Sequence, residues 1–173
     1  MKLKLALLAS LFLTALYTSS PAQAQAYALE DPADWKEIDT PPPPAFDIKK
    51  LITFEVSPNS QLTYGVDPAA ISISEKDGIV RYVVVASNAS GASNVMYEGI
   101  RCSTGEFKTY ARYSSDGKWT NVSNPQWRSM FDNMPSKHPL RLARAGACDS
   151  AAPATSVNVL VRRLKNPNFR IEN

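Results

Sequence analysis

The sequence predicts an α+β domain: an antiparallel sheet of about six or seven strands, one C-terminal helix packed on it, and one disulfide. Three observations carry this. Between residues 51 and 122, short apolar or alternating runs are separated by turn-forming residues. Near the C-terminus the period changes to that of a helix. Cys102 and Cys148 are the two cysteines of a 173-residue chain.

The strands come in order. Leu51 to Val56 is the first. Leu62 to Val66 and Ala70 to Ser74 alternate apolar and polar residues, with Ile71 and Ile73 on one face. Lys76-Asp77-Gly78 is a tight turn, its glycine open to positive φ. Ile79 to Ser87 carries Tyr82, Val83, Val84 and Val85 in succession, which suits a central strand covered on both faces. Val95 to Cys102 returns antiparallel to it. Phe107 to Tyr113 and Lys118 to Val122 make a hairpin around Ser114-Ser115-Asp116-Gly117. Beyond it, Pro125 to Asn133 begins a short helix, and His138 to Ala147 fits strand or helix. Thr155 to Leu164 is the clearest helix, with Val157, Leu160, Val161 and Leu164 at i, i+3, i+4 and i+7. Thr155 or Ser156 caps it and Pro167 stops it.

Four segments follow. Residues 1–24 are a signal peptide: Lys2 and Lys4, an apolar run from Leu5 to Tyr17, and A-Q-A at 22–24 and 24–26. The run is too short to span a bilayer as a helix. Residues 25–50 are a proline-rich extended segment, with Trp35 packing on the domain and Pro41-Pro42-Pro43-Pro44 favouring polyproline II. Residues 51–166 are the single α+β domain, and 167–173 are a tail. Cleavage after 24 removes Lys2 and Lys4 and lowers the formal charge from +3 to +1. A near-neutral chain does not point to nucleic acid, and no membrane span follows the leader. An oxidising compartment favours a Cys102–Cys148 bridge, worth ~4 kcal/mol in the chain-entropy model.

The stretch N-V-M-Y-E-G-I-R-C at 94–102 places an acid and a base inside an otherwise buried strand. On an unbroken strand Met96, Glu98, Ile100 and Cys102 share one face, and Val95, Tyr97, Gly99 and Arg101 the other. A buried Glu98 needs partners. Either a bulge at Gly99 turns it outward, or an arginine on the neighbouring strand pairs with it, Arg81 being the preferred one. The sole histidine, His138, lies in a polar, turn-like stretch and reads as a surface residue. No G-x-S-x-G, glycine-rich phosphate loop or calcium loop is present, so no catalytic residue, metal or cofactor is assigned. The candidate binding or structural network is Tyr97, Glu98, Arg101, Arg81, Tyr110, Arg112 and Trp119, with Arg101, Arg112, Tyr110 and Trp119 forming an exposed contact surface.

The order D-G-I-V-R-Y at 77–82, S-G-A-S-N-V-M-Y-E-G-I-R-C at 90–102, Tyr110-Ala111 and Trp119 resembles the cryptic neisserial protein family. These are small exported proteins of Gram-negative bacteria. The resemblance implies a periplasmic or envelope location and no particular activity. The leading functional expectation is therefore a monomeric, non-enzymatic periplasmic binding or envelope-accessory module, whose partner is an envelope protein or polymer. The alternative is a periplasmic hydrolase or lyase using Glu98 as general acid or base, with Arg101 as electrostatic stabiliser. A weaker third is a redox or folding accessory using the cysteines.

Overall fold

The computed structural model describes residues 34–166, 168 and 169; the expected leader lies outside them. Among the described residues, nine strands and two α-helices follow in order: β1 (Ile52–Phe54), β2 (Thr63–Ile73), β3 (Ile79–Ser87), β4 (Ser93–Arg101), β5 (Glu106–Tyr113), β6 (Trp119–Asn121), β7 (Arg128–Ser129), α1 (His138–Leu142), β8 (Cys148–Asp149), β9 (Ala152–Pro153) and α2 (Val157–Leu164). Strands β1 to β6 pair in sequence order, each antiparallel to the next, and β7 pairs with β5. This is the antiparallel sheet with a C-terminal helix that the hydrophobic pattern predicts. Cys102, just after β4, is bridged to Cys148 at the start of β8.

Three elements differ from expectation. The runs at 62–66 and 70–74 are two halves of one strand, β2, interrupted where its register to β3 jumps between Val66 and Ile71. Pro68 has no N–H to give the ladder, and the buried Asp67 carboxylate turns inward to accept from the Asp47 and Ala69 amides. Residues 125–133 do not form a helix. Arg128 and Ser129 pair with β5, and the Met130 amide donates to the Gly105 carbonyl, which brings Met130 into the core. Residues 138–147 are helical: α1 runs into a π turn over Ala143–Ala147.

The sheet is covered on both faces, as the unbroken apolar run of β3 requires. On one face Val80, Tyr82, Val84, Met96 and Ile100 pack under Leu142, Ala143, Leu160 and Leu164 from the helical layer. α2 is capped by Ser156, whose hydroxyl accepts from the Val159 amide. On the other face Val83, Val85, Val95, Tyr97, Tyr110 and Ala111 form a second cluster. Among the described residues no helix packs there. Its cover is the segment before β1, an arm without regular secondary structure from Trp35 to Asp47 that lays Phe46 on Tyr113 and Trp119.

Candidate functional site

Glu98 points into the helical face of the sheet with Met96, Ile100 and Cys102, on an unbroken β3–β4 register. The irregularity in this region is on the next strand. Tyr97 stands opposite Ala111 and Glu98 opposite Thr109, so Tyr110 is the extra residue of β5. Of the two alternatives for Glu98, the bulge at Gly99 is not formed; the bulge is at Tyr110, and Glu98 is left facing the core.

Glu98 is 1% exposed and its partner is not Arg81. Tyr82 and Thr109, its direct neighbours on β3 and β5, each donate a hydroxyl at 3.0 Å. His138, at the start of α1, places Nε2 2.8 Å from Oε2. Its other ring nitrogen lies 3.1 Å from the Ser136 hydroxyl. A carboxylate accepting from two hydroxyls is acceptor-only, which selects the His138 tautomer carrying a proton on Nε2. The imidazole stacks on Tyr64, centroids 5.4 Å apart, and meets Phe107 edge-on. His138 is therefore a core residue, 7% exposed, rather than the surface residue its polar neighbours suggest. Burial and the Glu98 charge push the Tyr82 hydroxyl well above its ordinary ionisation range, keeping it a donor. The arrangement ties the first residue of the helical layer to the middle of the sheet.

Arg81 faces the opposite side. Its guanidinium pairs with Asp77 at 2.7 Å, at the turn where Gly78 takes φ +69°. Burial alone would raise the Asp77 carboxyl. The hydrogen bonds from Arg81, Ser74 and Ile79, with the Arg81 charge, outweigh it and hold the group below its ordinary value of 3.8. Arg81 and Lys108 flank Gly99 across three strands. A side chain at 99 would meet the Tyr110 hydroxyl at 2.6 Å and Ile79 Cγ2 at 2.9 Å, so only glycine leaves room for the bulged tyrosine.

Into this space the arm inserts Glu37. Its carboxylate receives Lys108 Nζ at 2.5 Å, the Tyr110 hydroxyl at 2.8 Å and the Trp127 indole N–H at 3.2 Å, with Arg81 at 3.8 Å. Trp35 donates its indole N–H to the Asp77 carbonyl, and the Ile38 amide donates to the Asp77 carboxylate. The Arg101 guanidinium lies 3.5 Å from the centre of the Trp35 ring and also pairs with Glu106. Burial lowers the Arg101 pKa and Glu106 partly offsets this.

Arg101, Arg112, Tyr110 and Trp119 do not form one exposed surface. Arg101 and Tyr110 are buried under the arm, and Trp119 is half-buried among Phe46, Tyr97 and Tyr113. Arg112, opposite Met96 on the helical face of the sheet, is exposed. Tyr97, Arg81, Arg101 and Tyr110 do converge, on the arm side, and Glu98 stands across the sheet from them. Glu37, Thr109 and Lys108 carry no signal in the pattern, where Asp77 reads only as a turn residue and His138 as a surface one. Alternation does put Tyr82 on the face of Glu98's neighbours, but nothing local marks Glu37.

Beside this cage of donors around Glu37, a groove of about 400 Å³ runs between the prolines at 41–43 and the sheet, lined also by Thr40, Tyr97, Tyr110 and Asn121. Neither Glu98 nor His138 lines it, nor do they line the groove of about 60 Å³ beside the disulfide or that of about 540 Å³ between β1 and α2. Among the described residues no group of three or more His, Cys, Asp or Glu is placed to hold a metal ion. Nor is any helix among them long and apolar enough to cross a membrane.

No curated protein and no solved structure matches the chain. A family model does: the model described as CNP1-like family matches residues 30–165, which hold the whole sheet, the arm from Trp35, the disulfide and α2. By that match the chain belongs to the CNP1-like family.

Proposed function

We propose that the protein is exported to the periplasm and works there as a non-enzymatic binding module of the cell envelope. The observation that carries this reading is the groove of about 400 Å³ along the proline run, lined by Tyr97, Tyr110 and Asn121. Four consecutive prolines make a stiff wall that loses little entropy when something settles against it. Supporting export are the Lys2–Tyr17 leader pattern and the disulfide.

The enzyme reading is weaker on the same structure. Both Glu98 oxygens are engaged by protein donors, and the residue lines none of the three grooves. A general acid must reach its substrate within hydrogen-bonding distance.

The test is photo-cross-linking in the periplasm of the producing cell. A photoreactive side chain at Asn121 is expected to give a discrete adduct, and one at Asn88, in the β3–β4 loop, none. Equal labelling from both positions, or none from Asn121, would overturn the reading. So would turnover of an envelope polymer by purified protein that Glu98→Gln abolishes without loss of stability.

A further inference from the structure

The cage around Glu37 is built like a ligand site whose ligand belongs to the same chain. Its donors from outside the arm come from three places: Arg81 on β3, Lys108 and Tyr110 on β5, and Trp127 in the loop before β7. Their common target is one carboxylate on a segment that has no strand or helix hydrogen bonds of its own. Charge requires an occupant. Asp77 compensates Arg81, but the ion-pair partner of the mostly buried Lys108 is Glu37. A buried ammonium without its counter-ion is strongly disfavoured, so an emptied cage attracts another carboxylate.

The occupant is recognised as an extended peptide, not as a lone anion. Trp35 fills an aromatic slot between Arg101 and Trp127, the latter edge-on with ring centroids 6.2 Å apart. Two residues on, Glu37 enters the cage, and the next amide, of Ile38, bonds Asp77. The slot therefore reads an aromatic residue, a spacer, an acid and the following backbone N–H. Exposed Asp39 and Thr40 join this segment to the stiff proline run. Thr40 and Tyr110 belong to both the groove and the cage, since each donates to Glu37 Oε1.

We propose that this cleft is a peptide-docking site for an acidic segment of a partner protein with an aromatic residue two positions before the acid, and that the Trp35–Glu37 arm is its resident occupant, displaced by that segment. This rests on the binding-module reading and names its ligand class and its built-in competitor. The mechanism is exchange of one carboxylate for another in a cage that stays filled, so no buried charge is left exposed at either end of the exchange.

The experiment uses the full chain carrying Trp35→Ala and Glu37→Ala, labelled with ¹⁵N, and a synthetic peptide with the sequence of residues 34–40, D-W-K-E-I-D-T. Saturable shifts are expected at the Trp127 indole N–H and the Gly99 amide of the variant, with little change in wild type, whose own arm competes. A peptide with glutamine in place of the glutamate should bind about 10-fold to 100-fold more weakly, the loss expected for a charge-assisted bond. If the double variant fails to fold, Glu37→Gln alone serves, with the same expectation at higher peptide concentration. A folded variant that shows no peptide shifts overturns the proposal. Concentration-dependent wild-type dimers with crossed arms also overturn it, since a second copy would then be the occupant. Failure here with an intact Asn121 adduct in wild type leaves the groove reading standing. Peptide binding without any adduct does the reverse.

Discussion

His138 Nε2 lies 2.8 Å from Glu98 Oε2, across 40 residues of sequence and between two layers of the fold. One residue opens the helical layer; the other sits in the middle strand register, between Tyr82 and Thr109. Such a contact is worth little as a net gain over an apolar pair. It is costly to break from one side, because the remaining group is buried without its counterpart.

His138→Ala should therefore destabilise the protein by ~3–5 kcal/mol, more than truncation of an exposed histidine would. His138→Gln, which keeps a donor near Glu98, should cost less. Urea unfolding followed by far-UV circular dichroism measures both. Equal stability of wild type and His138→Ala would mean that the contact does not hold the layers together.

Gly99→Ala should destabilise by ~1–3 kcal/mol, the cost of forcing an extra methyl into a packed site. The added Cβ meets the Tyr110 hydroxyl and ring and the Ile79 methyl. Adding Tyr110→Phe removes the nearest clashing atom and should recover part of the loss. A double-mutant cycle that is additive would contradict the close approach of the two residues.

The Asp77 carboxyl lies below its ordinary 3.8 when folded. A depressed folded pKa contributes stability that is complete above the unfolded value and disappears as pH falls through the folded one. Its share should thus be constant at neutral pH and be lost from about pH 4 downward. Asp77→Asn should be less stable at pH 7 and show a flatter acid limb than wild type, read as unfolding midpoints against pH. Parallel curves for the two proteins would show that Asp77 is not one of the linked groups.

Lys108 and Glu37 join the arm to the sheet. Glu37→Gln should loosen the arm and raise hydrogen exchange at the Ile38 amide, while amides of β3 and β4 stay protected. Exchange unchanged at Ile38 would mean that the arm is held by Trp35 and the proline run alone.

The fold was legible because its signals are local. Period-two runs, turn glycines such as Gly78 and the i, i+3, i+4 stripe of α2 each act within ten residues or so. Arg128–Ser129 read as helix in the sequence because their partner, β5, is some twenty residues earlier and the pattern between them carries no period. The site was legible only by face. Alternation puts Glu98 with Met96 and Ile100, the face on which it lies. Its partner could not be read, because His138 reaches it through tertiary packing while its sequence neighbours Lys137 and Ser136 are polar. Glu37 was hidden for the same reason: the arm has no periodicity, and its anchor residues Lys108, Tyr110 and Trp127 lie seventy-one to ninety positions away.

The central claim is that Glu98 holds the fold and that binding happens on the arm side. Glu98→Gln tests it most directly, by measuring stability and the Asn121 adduct in the same cells. The expected result is a loss of ~1–2 kcal/mol in unfolding free energy, with the adduct retained by the protein that remains folded. Wild-type stability together with a cellular defect equal to gene deletion would contradict the claim and make Glu98 an acting acid.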